Sequence, residues 1–120
     1  MPVAIVTAVM IHVSDVEQGI SWYEKAFPLA KRERSAMHDF EFLQLESLQL
    51  EIVPADEKVT SGPSGTVICW QVTSVADEVE RLRLLGATLY RGPMRIEANL
   101  SMCQVQDPWG NCIGLRGPAA

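Results

Sequence analysis

The chain is poor in the side chains that most often build metal sites. It has two histidines, His12 and His38, and three cysteines with no CxxC pair among them. A zinc knuckle or a disulfide framework needs paired cysteines at recurring spacings, so neither is expected. Cys69, Cys103 and Cys112 sit in apolar, strand-like runs and read as buried structural thiols. Long hydrophobic runs are missing as well. The longest, near the N-terminus, falls far short of the roughly 18 apolar residues that a membrane span needs. The same segment lacks the basic start, long apolar stretch and small-residue cleavage site of a secretory signal. A cytoplasmic protein with no membrane association is therefore expected. Positive charge is scarce: ten Lys and Arg stand against fifteen Asp and Glu, for a net charge of −5. Only residues 31–34, KRER, gather basic side chains. One short run is no footprint for nucleic acid, and it reads as a solvated loop after a helix. The acidic balance fits a cationic ligand better than an anionic one.

The rest is ordinary globular composition, 48% hydrophobic and 21% charged over 120 residues, enough for one domain or two fused half-size units. Residues 3–13 are β-branched and apolar and predict a strand. A helix follows over 14–27, opened by a capping box of Ser14 with Glu17 or of Asp15 with Gln18. Its apolar stripe is Val16, Ile20, Tyr23 and Phe27, and Pro28 ends it. Residues 39–55 predict two strands with a turn near Glu46 and Ser47. The polar, Gly- and Pro-rich segment 56–65 is a linker. The pattern then starts again, with a strand over 66–72, a helix with stripe Val75, Val79 and Leu82 stopped by Gly86, and a closing hairpin over 101–115. An offset of 59 carries Val13, Ser14, Val16 and Ile20 onto Val72, Thr73, Val75 and Val79. One strand–helix–strands unit is used twice. Module one is expected over about 1–55 and module two over about 66–117, within a single domain of 1–120. Two sheets, each covered by a helix on one face, would leave their other faces to curve around a shared cleft. Residues 89–100 read as a flexible flank to the closing hairpin.

Residues 12–27 (HVSDVEQGISWYEKAF), the repeat, and residues 107–115 (DPWGNCIGL) resemble the vicinal oxygen chelate superfamily, which includes glyoxalase I, bleomycin-resistance proteins, fosfomycin-resistance enzymes and extradiol dioxygenases. The resemblance implies an α+β fold of two β-α-β-β-β modules around a cleft, helices outside, and a homodimer. It also implies where metal ligands would stand, at Ala8, Glu51, Val67 and Gly114 of this chain. Three of the four carry no donor side chain, and a divalent catalytic metal wants three or four. No metal or other cofactor is expected unless His12, His38 and Glu51 form a rearranged set.

Strand parity sorts the remaining candidates. Val9, Ile11, Val13, Leu48, Leu50, Ile52, Ile68, Trp70, Val72, Ile113 and Leu115 are expected under the helices. The cleft is expected to present Ala8, Met10, His12, Gln49, Glu51, Val53, Val67, Cys69, Gln71, Met102, Gln104, Cys112, Gly114 and Arg116. Apolar walls with a few placed polar groups are the composition of a small-molecule site. Glu51 reads as an anionic anchor or general base, or else as a structural partner of Arg116 or His12. In glyoxalase I-like members the position of His12 carries an arginine that binds a substrate carboxylate; the plainer reading is a hydrogen-bonded strand histidine. The three glutamines serve a ligand or one another, and no neighbour of Cys69 or Cys112 lowers a thiol pKa. Trp109 takes the variable place of the turn. Three functions remain open. One is a metal-free binder of a small amphipathic molecule, with a cation among the candidates. Another is a lyase, isomerase or dioxygenase with a rearranged metal site or a Glu51 base. The third is a non-catalytic structural or regulatory dimer.

Overall fold

The computed structural model describes residues 6–35, 39–63 and 65–120. The chain divides into two compact units, Met1–Thr60 and Ser61–Ala120, and the boundary falls inside the linker read from the sequence. Both are α+β, each a four-stranded mixed sheet with one helix.

Module one runs β1 (Ala8–Val13), α1 (Val16–Ala26), β2 (Lys31–Arg34), β3 (Glu41–Leu45) and β4 (Leu48–Pro54). Its sheet order is β1-β4-β3-β2, with β1 and β4 parallel and the other pairs antiparallel. The Asp15 carboxylate caps α1, accepting from the Gln18 amide at 3.0 Å. This is the second of the two capping alternatives. Ile20 and Tyr23 are buried as the stripe requires, and so are Gly19, Trp22 and Ala26. A Cβ on Gly19 would lie 2.7 Å from Ile52 Cγ2 and 2.9 Å from a Val13 methyl. The helix therefore rests on the sheet at a distance only glycine permits. This contact also shows that Val13 and Ile52 point toward α1.

The KRER run is a strand, β2, not a loop. Its Arg32 stands opposite Leu43 on β3 and so points to the helix side. There its guanidinium donates to Glu24 at 2.8 Å, Glu17 at 3.1 Å, Glu41 at 3.3 Å and the Ser21 hydroxyl at 3.3 Å. The bond to Glu24 does most to raise its pKa, against a smaller loss from burial. The run ties α1 to the outer edge of the sheet.

Module two repeats the order: β5 (Ile68–Gln71), α2 (Val75–Leu84), β6 (Thr88–Arg95), a 3-10 turn (Glu97–Asn99), β7 (Ser101–Gln106) and β8 (Cys112–Gly117). The sheet order is β5-β8-β7-β6, with β5 and β8 parallel. Ser74 caps α2, its hydroxyl accepting from the Asp77 amide at 3.1 Å. Gly86 stops the helix with φ +104°. Val75, Leu82, Cys103, Val105, Ile113 and Leu115 form the core.

The flank expected over 89–100 is in large part β6, paired antiparallel to β7. Register shifts after Leu89 and after Arg91 mark bulges, and every residue of the strand is exposed. Gly92 and Pro93 read as a turn in the sequence. On an edge strand they are accommodated as an irregularity of the ladder, where a missing N–H leaves no neighbour unpaired.

The closing turn is built on Asp107, which is 3% exposed. Its Oδ1 accepts from the backbone amides of Trp109 and Asn111, both at 2.8 Å, and its Oδ2 accepts from the Asn111 side-chain amide at 3.0 Å. Asn111 Oδ1 in turn accepts from the Gly62 amide at 2.9 Å, which anchors the linker to the hairpin. The dense turn chemistry of 107–111 is thus a hydrogen-bonded staple. Among the described residues no helix is long and apolar enough to cross a membrane.

Candidate functional site

Each sheet has one face under its helix and one face without it. In module one Ile11, Val13, Leu50 and Ile52 fill the helix side. The residues between them point the other way, and the parallel pairing sets Ala8 beside Gln49, Met10 beside Glu51 and His12 beside Val53. Gln44, opposite Gln49 on β3, joins this face. In module two Cys69 stands beside Gly114 and Gln71 beside Arg116, with Gln104 and Met102 on the far side of β8. Val67 immediately precedes β5. Gln106 shares the face opposite Cys112, and Arg91 shares it opposite Gln104. Parity alone was enough to find Gln106, two residues beyond Gln104. Arg91 was hidden by the bulges around it.

Burial follows the same division. Of the three cysteines expected to be buried, only Cys103 is; Cys112 is half-buried and Cys69 exposed. Cys103 lies on the helix side of β7, whereas the other two lie on the face α2 does not cover. Burial raises the Cys112 thiol pKa, Asp107 adds to the rise, and Arg91 opposes it. Burial also raises that of Cys103. Neither is arranged as a thiolate nucleophile.

Each module has a cavity lined by described residues. The one in module one, about 500 Å³, is bordered by Glu51, Val53, Val16, Ile20 and Phe40, with the Arg34–Asp39 ion pair at its rim. Of the residues expected in the cleft it gathers Glu51 and Val53, while Ala8, Met10, His12 and Gln49 share the face but not the cavity. Phe40 precedes β3, so no strand parity could have assigned it. The other cavity, about 390 Å³, lies in module two and gathers Cys69, Gln71 and Arg116 with Trp70, Leu100 and Pro118. Val67, Met102, Gln104, Cys112 and Gly114 lie outside it.

The charges of the first cavity are unequally committed. Glu17 and Glu41 bind Arg32, and Asp39 binds Arg34. The carboxylate of half-buried Glu51 makes no hydrogen bond or ion pair with any described residue of its module, His12 included. His12 lies near enough to Asp56 to contribute, as the smallest cause, to that carboxyl's lowered pKa; the backbone amides of Val59 and Lys58 contribute most.

The ligand positions implied by the family do not suit a metal. Ala8 and Val67 offer no donor. A Cβ at Gly114 would lie 2.7 Å from Cys69 Sγ, so the neighbouring strand already fills the place where a ligand side chain would begin. Among the described residues no group of three or more His, Cys, Asp or Glu is arranged to hold a metal ion. Of the rearranged set, His38 lies outside the described residues.

Residues 5–115 match the family model of the Glyoxalase/Bleomycin resistance protein/Dioxygenase superfamily. The chain belongs to this superfamily. Its fold is similar to that of a glyoxalase/bleomycin resistance protein/dioxygenase family enzyme from Burkholderia phytofirmans, at 18% identity, TM-score 0.71, and 95% and 98% coverage of this chain and that one. A glyoxalase-related enzyme from Fulvimarina pelagi matches at 20% identity and TM-score 0.73, over 95% of this chain and 88% of that one. The fosfomycin resistance protein FosX from Listeria monocytogenes matches at 17% identity and TM-score 0.72, over 98% and 93%. At these identities the likeness is one of fold. No curated protein matches the chain.

Proposed function

We propose that this superfamily member is a metal-free binder of a small amphipathic cation, and that Glu51 is its anionic anchor. The observation that carries the reading is a half-buried carboxylate without a partner in its module, bordering a cavity of about 500 Å³. A partly desolvated, unpaired carboxylate is costly, and a bound cation offsets that cost. Asp39, Glu17 and Glu41 are each already paired with an arginine, so Glu51 is the unpaired carboxylate among them. Phe40 supplies a ring against which a cation gains further attraction, and Val16, Ile20 and Val53 supply apolar wall. The volume lies within the roughly 300–1,000 Å³ of small-molecule sites. The poor donor set at Ala8, Val67 and Gly114 supports binding without a metal.

The test uses benzyltrimethylammonium as probe and benzyl alcohol as its neutral counterpart, read by calorimetry and thermal shift. The wild type is expected to bind the cation and not the alcohol. Glu51→Gln is expected to weaken binding about tenfold or more with the melting temperature held. A Glu51→Gln variant that melts lower but binds as before makes Glu51 structural and ends the reading. Elemental mass spectrometry of the untagged protein checks the metal, before and after exposure to zinc, nickel, manganese and iron. Near one tightly held metal per chain overturns the metal-free part.

A further inference from the structure

We infer that module two carries an oxyanion site of its own, in which Arg116, seconded by Gln71, holds the carboxylate of a small molecule with an apolar body. The inference goes beyond the cation reading of module one and does not rest on it. It begins with an inventory of arginines. Arg81 is committed to Glu78, Arg83 to Glu80 and Arg95 to Asn99. Arg91 and Arg116 make no side-chain hydrogen bond or ion pair with a described residue of their module, and of the two Arg116 borders the cavity of module two. Arg116 also stands on β8, an interior strand between β5 and β7. Charged side chains on sheets are commonest at edges, where they discourage further pairing. An arginine in mid-sheet serves no such end.

Its surroundings fit a carboxylate. Gln71 is its direct cross-strand neighbour, and both border the cavity of about 390 Å³. A guanidinium offers two parallel N–H donors to a planar carboxylate, and the glutamine amide adds a third donor from the adjoining strand. The register brings Arg91 onto the same face and no Asp or Glu. The positive charge is therefore not cancelled by a neighbour on that face. Trp70, Leu100 and Pro118 give the cavity apolar wall, which favours an apolar-bodied carboxylate over inorganic phosphate.

The experiment follows the Arg116 Nε–H and the Gln71 side-chain amide by NMR in the full chain, during titration with benzoate and, separately, inorganic phosphate at fixed ionic strength. Benzoate is expected to shift both signals saturably and to bind more tightly than phosphate. Arg116→Gln should weaken benzoate at least about tenfold, and Arg116→Lys, which keeps charge but loses the paired donors, should recover part of it. Arg95→Gln should change nothing. Glu51→Gln should leave benzoate binding intact, which separates this site from the cation site. The inference is overturned if no saturable shift occurs. It is equally overturned if Arg116→Gln binds as the wild type does, if Glu51→Gln abolishes benzoate binding, or if phosphate binds as tightly as benzoate.

Discussion

The two modules share a plan and differ in what they do with it. Strand order, the parallel pairing of the first strand with the last and the helix cap all repeat, with Asp15 and Ser74 in the same place. The uncovered faces do not repeat. Glu51, beside Met10, has Gly114 beside Cys69 as its counterpart, and Val53 beside His12 has Arg116 beside Gln71. Acid in one module is answered by nothing in the other, and base in the second by nothing in the first. Topology is held by caps, apolar alternation and turns, all of which lie on the helix side or at the ends of elements. The uncovered face contributes little to that framework, so its chemistry was free to diverge between copies.

The modules also differ in how their hairpins and helices are secured, and this difference can be broken one residue at a time. The largest effect is expected at the β7–β8 turn. Asp107→Ala removes the acceptor of three hydrogen bonds, two from backbone amides. Bonds to a charged group are worth about 1.5–3 kcal/mol each and do not add fully, so a loss of about 3 kcal/mol or more is expected in urea unfolding. In the β3–β4 turn of module one the Gln44 side-chain amide donates to the carbonyls of Glu46 and Leu48, but no buried carboxylate gathers the backbone amides there, and Glu46 stands at φ +55°. Glu46→Gly, which relieves that conformation, should leave stability within about 1 kcal/mol of the wild type. Comparable losses at the two turns would mean the modules are secured alike.

A smaller effect is expected at Arg32. It joins α1 to β2 and β3, whereas the ion pairs of α2, Arg81 with Glu78 and Arg83 with Glu80, stay within one helix. Arg32→Ala should cost about 1–2 kcal/mol, because it releases Glu24, Glu17 and Glu41 together from a partly buried cation. Arg81→Ala should cost less. Equal losses, measured by the same denaturant titration, would remove the distinction between a tie across elements and a tie within one.

The division between framework and face also explains what was legible in the sequence. Both helices, their caps, Gly86 and the turn at 107–111 could be read because local chemistry dictates them. So could the parity of β1, β4, β7 and β8, where the bulky buried side chains recur at every second residue. Two strands could not. KRER is polar throughout, and it is a strand through backbone pairing with β3, which no local apolar pattern announces. In β6 the Gly92-Pro93 pair reads as a turn until pairing with β7 overrides it. The site was legible in part for the same reason. Glu51 and Arg116 follow from parity, but Phe40 and the Arg34–Asp39 pair lie before or at the end of a strand, where no period applies.

The smallest expected effect lies on α2 and is a matter of pH. The Glu80 carboxyl has a pKa below its ordinary value, chiefly because Arg83 donates to it at 2.7 and 2.9 Å. A carboxyl whose folded pKa is depressed contributes stability that is whole above its unfolded pKa and is lost as pH falls through the folded one. Glu80→Gln should therefore melt slightly below the wild type at neutral pH and coincide with it in acid, once both proteins carry an uncharged group there. The pair is exposed and its two side chains are long, so screening and side-chain entropy keep the difference smaller than that at Arg32. Raising the salt concentration at neutral pH should close the gap further, because charges at the surface are screened within about 10 Å at 0.1 M. A gap that persists in acid or survives high salt would mean that Glu80 acts through packing or helix propensity and not through its charge.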